Sequence, residues 1–218
     1  MIFMRYNGGA PDGDFTVGKV YFAHDALEHE AVGRTEFYVT DDNDQKFKFR
    51  FDDYFQELEE VYAVWLGGIE GVGLEVGETV VIDRAEDDTF GAAGHGFFRR
   101  EHFEILDGTN LKPGVYVCDV QTGRWLKVMR VDGKMNLSTE EDSEVFHTPF
   151  DFKFAVADGA IIDMPIVYCV NSTGIEELTE SETYVLVASL NDMVCVKNDK
   201  GVVGEYDASR FSWVQSEN

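Results

Sequence analysis

The sequence predicts an all-β protein built from two tandem copies of one unit. Three observations predict it: short runs in which apolar and charged residues alternate, turn-forming residues between those runs, and an internal repeat.

The alternating runs come first. Glu36-Phe37-Tyr38-Val39-Thr40, Lys46-Phe47-Lys48-Phe49-Arg50-Phe51 and Lys127-Val128-Met129-Arg130-Val131 each place apolar side chains on one face and charged or polar ones on the other. That period of two is the signature of a half-buried strand. Turn signals separate such runs at Asp41-Asp42-Asn43-Asp44, Val131-Asp132-Gly133-Lys134 and Asn198-Asp199-Lys200-Gly201. Asp52–Val64 breaks the pattern, with Phe55, Leu58 and Tyr62 on one side, and is expected to hold a single helical turn.

The repeat is the longest-range signal. Val61-Tyr62-Ala63-Val64, Gly68-Ile69-Glu70, Leu74 and Glu78-Thr79 recur as Val167-Tyr168-Cys169-Val170, Gly174-Ile175-Glu176, Leu178 and Glu182-Thr183. The offset is 106 residues at Val61 and 104 at Leu74, a two-residue deletion in a loop. Val17-Gly18-Lys19-Val20-Tyr21 matches Pro113-Gly114-Val115-Tyr116 more weakly. These matches predict units at 1–106 and 107–218, with modules at about 15–58, 61–106, 111–154 and 167–214. Each module is expected to close on a Phe five residues after an apolar residue: Phe98 to Phe103, Val145 to Phe150, Tyr206 to Phe211, and one residue shorter at Phe51 to Phe55.

The last module runs from Glu182 through Met193–Lys197, the Asn198–Gly201 turn, Val202–Tyr206 and Phe211–Val214. It resembles a Src-homology-3-like small barrel. The resemblance implies a five-strand meander with a one-turn helix before the last strand, and a total of four such barrels. The aromatic peptide-binding motif of the signalling members is not present, so recognition of proline-rich ligands does not carry over.

Composition bounds the function. A chain of 218 residues, 44% hydrophobic, is long enough to bury a core. Eighteen Lys and Arg against 42 Asp and Glu leave a net charge of −24, with a sequence pI near 4.3. Such a field repels nucleic acid and anionic membranes and favours a basic partner or simple solubility. Halophilic adaptation is a competing reading of the same excess. No apolar run approaches the ~18 residues of a membrane span, and the N-terminal stretch is not that of a signal peptide, so a cytoplasmic protein is expected. Cys118, Cys169 and Cys195 each sit in an apolar run and read as reduced core residues.

Motifs for chemistry are weak. Counted as a calcium loop from Asp41, the positions that need Gly and Glu hold Lys46 and Asp52, so a polar hairpin turn is expected. His24 with His29, and His95 with His102, lack the spacing of a zinc site. Gly91–Gly96 follows an acidic run and reads as a hairpin loop, not a phosphate cradle. No Gly-x-Ser-x-Gly elbow occurs. The expectation is no catalytic site, no metal and no cofactor.

What remains is the acidic clusters: Asp41, Asp42, Asp44, Asp52, Asp53, Glu57, Glu59, Glu60, Glu86, Asp87 and Asp88 in the first unit, and Glu140, Glu141, Asp142, Glu144, Glu176 and Glu177 in the second. Carboxylates on a rigid β scaffold can imitate duplex phosphates. The composition resembles that of small acidic inhibitors of restriction, repair and transcription proteins, many of them phage-encoded, a likeness of charge alone. The expected function is a non-enzymatic module that occupies a basic or nucleic-acid-binding host protein. An assembly subunit of a virion or complex, and a small-ligand binder or enzyme with a pocket, are the alternatives.

Overall fold

Alternation becomes strand wherever a partner can take the apolar face. In the computed structural model the described residues are 2–9, 13–25, 36–50, 54–86, 88–157, 159–190 and 192–213. The chain divides into two compact units, Met1–Leu74 with Val80–Leu111, and Glu75–Thr79 with Lys112–Asn218. The protein is all-β; among the described residues its only helical elements are three single 3₁₀ turns. No helix among them is long and apolar enough to cross a membrane.

The first unit holds β1 (Ile2–Tyr6), β2 (Val20–Asp25), β3 (Glu36–Thr40), β4 (Lys46–Arg50) and β5 (Phe55–Leu58), then β6 (Val61–Trp65), β7 (Thr79–Ala85), β8 (Thr89–Ala92), β9 (Gly96–Arg99) and β10 (Phe103–Ile105). They form two sheets, β4-β3-β2-β1-β5 and β10-β6-β7-β8-β9. The second unit holds β11 (Tyr116–Asp119), β12 (Trp125–Val131), β13 (Leu137–Thr139), β14 (Phe152–Phe154), the short pair β15 (Val156–Ala157) and β16 (Ala160–Ile161), then β17 (Ile166–Cys169), β18 (Thr183–Leu190), β19 (Met193–Lys197), β20 (Val203–Asp207) and β21 (Phe211–Trp213). Its two larger sheets are β13-β12-β11-β14 and β20-β19-β18-β17-β21.

Three of the four large sheets share one order, a four-strand meander whose fifth strand returns to the free side of the first. The exception is the sheet of β11–β14, where the position of the fourth strand holds only an isolated bridge, Leu137 to His147. The matching runs of the sequence lie on β6 and β17, each the first strand of its sheet. A Phe opens the last strand of every large sheet and faces the last residue of the first: Phe55 opposite Tyr6, Phe103 opposite Trp65, Phe152 opposite Asp119, Phe211 opposite Cys169. A ring five residues earlier packs on it in three sheets, Phe98 on Phe103, His147 on Phe152 and Tyr206 on Phe211, with centroids 6.0–6.2 Å apart.

Two expectations are corrected. Asp52–Val64 holds no helical turn over its described part; Phe55–Leu58 and Val61–Trp65 are strands. Pairing of β5 to β1 and β6 to β10 overrides the local helical spacing. Phe150 is not the closing residue of its module. It lies on the 3₁₀ turn Pro149–Asp151 and is exposed, while buried Phe152 opens β14.

One hairpin turn occurs three times. Asp41, Asp132 and Asn198 each donate their amide to the carbonyl four residues on, 2.8–2.9 Å away. Each side chain accepts from the amides two and four residues later: Asn43 and Gln45, Lys134 and Asn136, Lys200 and Val202. This Asx geometry needs a left-handed fourth residue, filled by Asp44 (φ 61°), Met135 (φ 65°) and Gly201 (φ 73°). Gly133 sits in the second of these turns without a positive φ, and a Cβ there meets nothing within 4 Å. Gly201→Ala is therefore expected to cost about 1–2 kcal/mol. Gly133→Ala should be neutral or stabilise by about 0.5 kcal/mol. Paired thermal melts of the two variants test the difference.

Candidate functional site

The carboxylates singled out in the sequence fall on hairpins and connecting loops, and they divide by what their oxygens already do. Asp41 is buried, and its carboxylate accepts the amides of Asp14, Asn43 and Gln45. Burial pushes its pKa up, but those three amides outweigh it and hold the carboxyl below its ordinary value. Asp41 thus builds the turn and has little left for a partner. Asp42 takes Lys19, the hydroxyl of Thr16 at 2.7 Å and that of Tyr21 at 2.9 Å. Against the cost of burial, these groups keep its carboxyl low. Burial, with Asp42 beside it, pushes the Tyr21 phenol up. The same arrangement recurs at Thr179, Tyr184 and Asp199, where the Tyr184 hydroxyl donates to Asp199 at 2.6 Å and accepts from the Thr179 amide.

The other described acids of the first-unit clusters are exposed. Asp44 projects from the β3–β4 turn, Glu57 lies on β5, Glu59 and Glu60 join β5 to β6, and Glu86 and Asp88 cap the β7–β8 hairpin. Asp52, Asp53 and Asp87 lie outside the described residues.

In the second unit Glu140, Glu141, Asp142 and Glu144 share one exposed loop that replaces a regular fourth strand. Arg124 pairs with Glu141, Arg130 with Glu144 at 3.7 Å, and the Lys127 amide reaches Glu140 at 3.3 Å. Glu176 is exposed; Glu177 binds Lys200 at 2.9 Å, and that ammonium lowers its pKa. Asp41, Asp42 and Asp44 are brought together on one turn, as are the four acids of the 140–144 loop. Glu57, Glu59 and Glu60 stand on a different segment from the first group.

Two clefts accompany these surfaces. One, of about 430 Å³ in the first unit, is lined by Lys19, Tyr21, His24, Asp42, Asp44 and Arg100 among others. It mixes both signs of charge, and Lys19 is already engaged by Asp42. The second, of about 410 Å³ in the second unit, is lined by Glu75, Cys118, Asp119, Gly123, Lys153 and Ser189 among others, and Lys153 pairs with Glu75. Burial pushes the Cys118 thiol up to about 11, which suppresses its nucleophilic form. Cys118 and Cys169 are buried and Cys195 is half-buried, all three free thiols.

His24 and His95 are exposed, and His29 lies outside the described residues. His102 is half-buried, with Nδ1 2.9 Å from the Gly67 carbonyl and its ring against Trp65. Among the described residues no group of three or more His, Cys, Asp or Glu is placed to hold a metal ion.

Sequence reasoning missed two features. Asp107 is a buried carboxylate whose partner lies on a distant strand; the run Asp107-Gly108-Thr109 carries a turn signature that hinted at its local bonds only. The second is the pair Val145 and Phe146, exposed beside the second-unit acids: Val145 is expected only as the apolar residue five before a closing Phe, and Phe146 carries no expectation. Neither a protein-family model nor a curated protein matches this sequence.

Proposed function

We propose that this protein is a non-enzymatic acidic binding module that occupies a basic, nucleic-acid-binding protein surface in place of the nucleic acid. We further read its four large sheets as Src-homology-3-like barrel modules in two tandem pairs, a rigid frame for carboxylates carried on hairpins. One observation carries the functional reading. The chain holds 42 acids and 18 cations, and among the described residues seven Lys and Arg side chains are already tied to carboxylates in ion pairs. Of the acids left over, Asp44, Glu59, Glu60, Glu86, Asp88, Asp142 and Glu176 are exposed on turns and loops, where a field of one sign speeds encounter with a cationic partner. Host cytoplasm is the compartment this reading implies, and small acidic phage-type inhibitors are the class it resembles.

The decisive experiment offers the full chain to purified basic DNA-binding proteins on duplex DNA and follows release of the duplex. Displacement is expected at low salt and its loss at high salt, because both surfaces trade counterions on contact. Displacement indifferent to salt, or binding that leaves the duplex in place, would overturn the reading.

A second reading, an assembly subunit, is favoured by Val202 and Val203 at the edge of the last sheet, both more than half exposed. Light scattering separates it: stable higher oligomers support assembly, a monomer counts against it.

A further inference from the structure

The sheet of β11–β14 departs from the other three where its fourth strand is replaced by the 140–147 loop, and the departure exposes apolar surface. Val145 is 47% exposed, Phe146 40% and Phe150 47%, and Met129, the residue skipped in the β12–β13 register, 44%. Bulges at the same stage of the second strand occur in β7 and β18, so Met129 is turned outward by a feature of the frame. The loop is held in place. The Arg130 guanidinium stacks on the Phe146 ring at 5.0 Å, donates to the Ser143 carbonyl and pairs with Glu144. Leu137 and His147 exchange two backbone hydrogen bonds at 2.8 and 2.9 Å. The Asp151 carboxylate accepts the Thr148 amide and hydroxyl at 3.1 Å, fixing the turn that carries Phe150. An apolar group kept on a fixed loop and rimmed by carboxylates has the make-up of an interaction surface.

We infer that the 140–150 segment is a docking surface for a protein segment that carries an apolar side chain flanked by Lys or Arg. Charge complementarity selects that occupant. Glu140, Glu141, Asp142 and Glu144 form the rim; Arg124 pairs with Glu141 and Arg130 with Glu144, and among the described residues no ion pair is formed by Glu140 or Asp142. A second copy of the chain would bring like charges together, at a cost that disfavours a self-complementary contact. Val145 and Phe146 then supply what acidity alone lacks, a preference among basic partners. The inference rests on the acidic-binder reading above and adds to it where, and by what chemistry, the partner is chosen.

The test uses the full chain and two labelled peptides of equal positive charge, one with Leu and Phe between its Lys and Arg residues, the other with Ser in their place. Fluorescence anisotropy at low salt should show the apolar peptide binding about tenfold tighter, the effect of burying one such side chain. Val145→Ser with Phe146→Ser should close that gap, weakening the apolar peptide far more than the Ser peptide. Should this variant fail to fold by circular dichroism, Asp142→Asn with Glu144→Gln decides instead: it must weaken the apolar peptide several-fold. Equal binding of the two peptides, a gap that survives the first variant, or no effect of the second overturns the inference and leaves the acidic-binder reading standing. Binding of neither peptide overturns both.

Discussion

Asp107→Ala is expected to destabilise the protein by about 3 kcal/mol, seen as a lower urea midpoint at an unchanged slope. Asp107 is 4% exposed, so its oxygens must find donors within the protein in place of water. Its Oδ2 accepts the Val20 amide at 2.9 Å, from a strand 87 positions away in the chain. Its Oδ1 accepts the Thr109 amide at 2.8 Å and hydroxyl at 2.6 Å. Next to it the Gly108 amide donates to the Gly18 carbonyl at 3.1 Å, and a Cβ on Gly108 would lie 3.2 Å from the Gly18 Cα. Alanine therefore strands buried donors at the point where β2 and the end of β10 are tied within the first unit. Asp107→Asn keeps one acceptor oxygen and should cost about half as much. If Asp107→Ala unfolds within 0.5 kcal/mol of the parent, roughly the scatter of a neutral surface change, the carboxylate is not an anchor.

Asp107 also marks the limit of what the sequence could say. The all-β class was legible because alternation in Glu36–Thr40, Lys46–Arg50 and Lys127–Val131 needs only a neighbour to cover one face, and any sheet provides that. Asp52–Val64 misled because Phe55, Leu58 and Tyr62 share a side in a helix, whereas pairing with Ile2–Tyr6 decides the segment, and that pairing is remote. Phe150 misled for a related reason. The ring five residues before the last strand is Phe98 or Tyr206 in two sheets but His147 in this one, so apolar spacing pointed two residues early.

The acidic clusters were visible as composition, but their division of labour was not. Asp41 and Asp44 stand three residues apart, yet one is wrapped by three amides and the other is exposed. Which backbone amides converge on a carboxylate is a property of the folded hairpin, and no local pattern distinguishes the two. Nothing in the sequence marked Val145 and Phe146 as outward-facing, because the signal for that is a missing strand.

Stability is expected to fall steeply between pH 9 and 11, with Cys118 as the largest single source. Burial raises its thiol from 9.0 to about 11, so the folded chain keeps the proton that the unfolded chain releases. A group whose folded value is raised contributes fully below the unfolded value, here 9.0, and loses that contribution as pH climbs through the folded one. The slope is about −1.4 kcal/mol per pH unit for one such proton, and the total about 3 kcal/mol. Burial raises Cys169 and Cys195 in the same direction. Tyr21 and Tyr184, also raised by burial, join them above pH 10, their ordinary value. The acid side carries the opposite sign. Asp42, Asp132 and Glu177 have lowered carboxyls, so their contribution is present at neutrality and lost only below about pH 4. Cys118→Ala should start about 1 kcal/mol less stable from lost packing, yet shed roughly one proton's worth of the alkaline slope. Urea titrations of both chains at pH 7, 9, 10 and 11 read this directly. Parallel curves for the two would mean that the Cys118 thiol keeps an ordinary pKa in the fold.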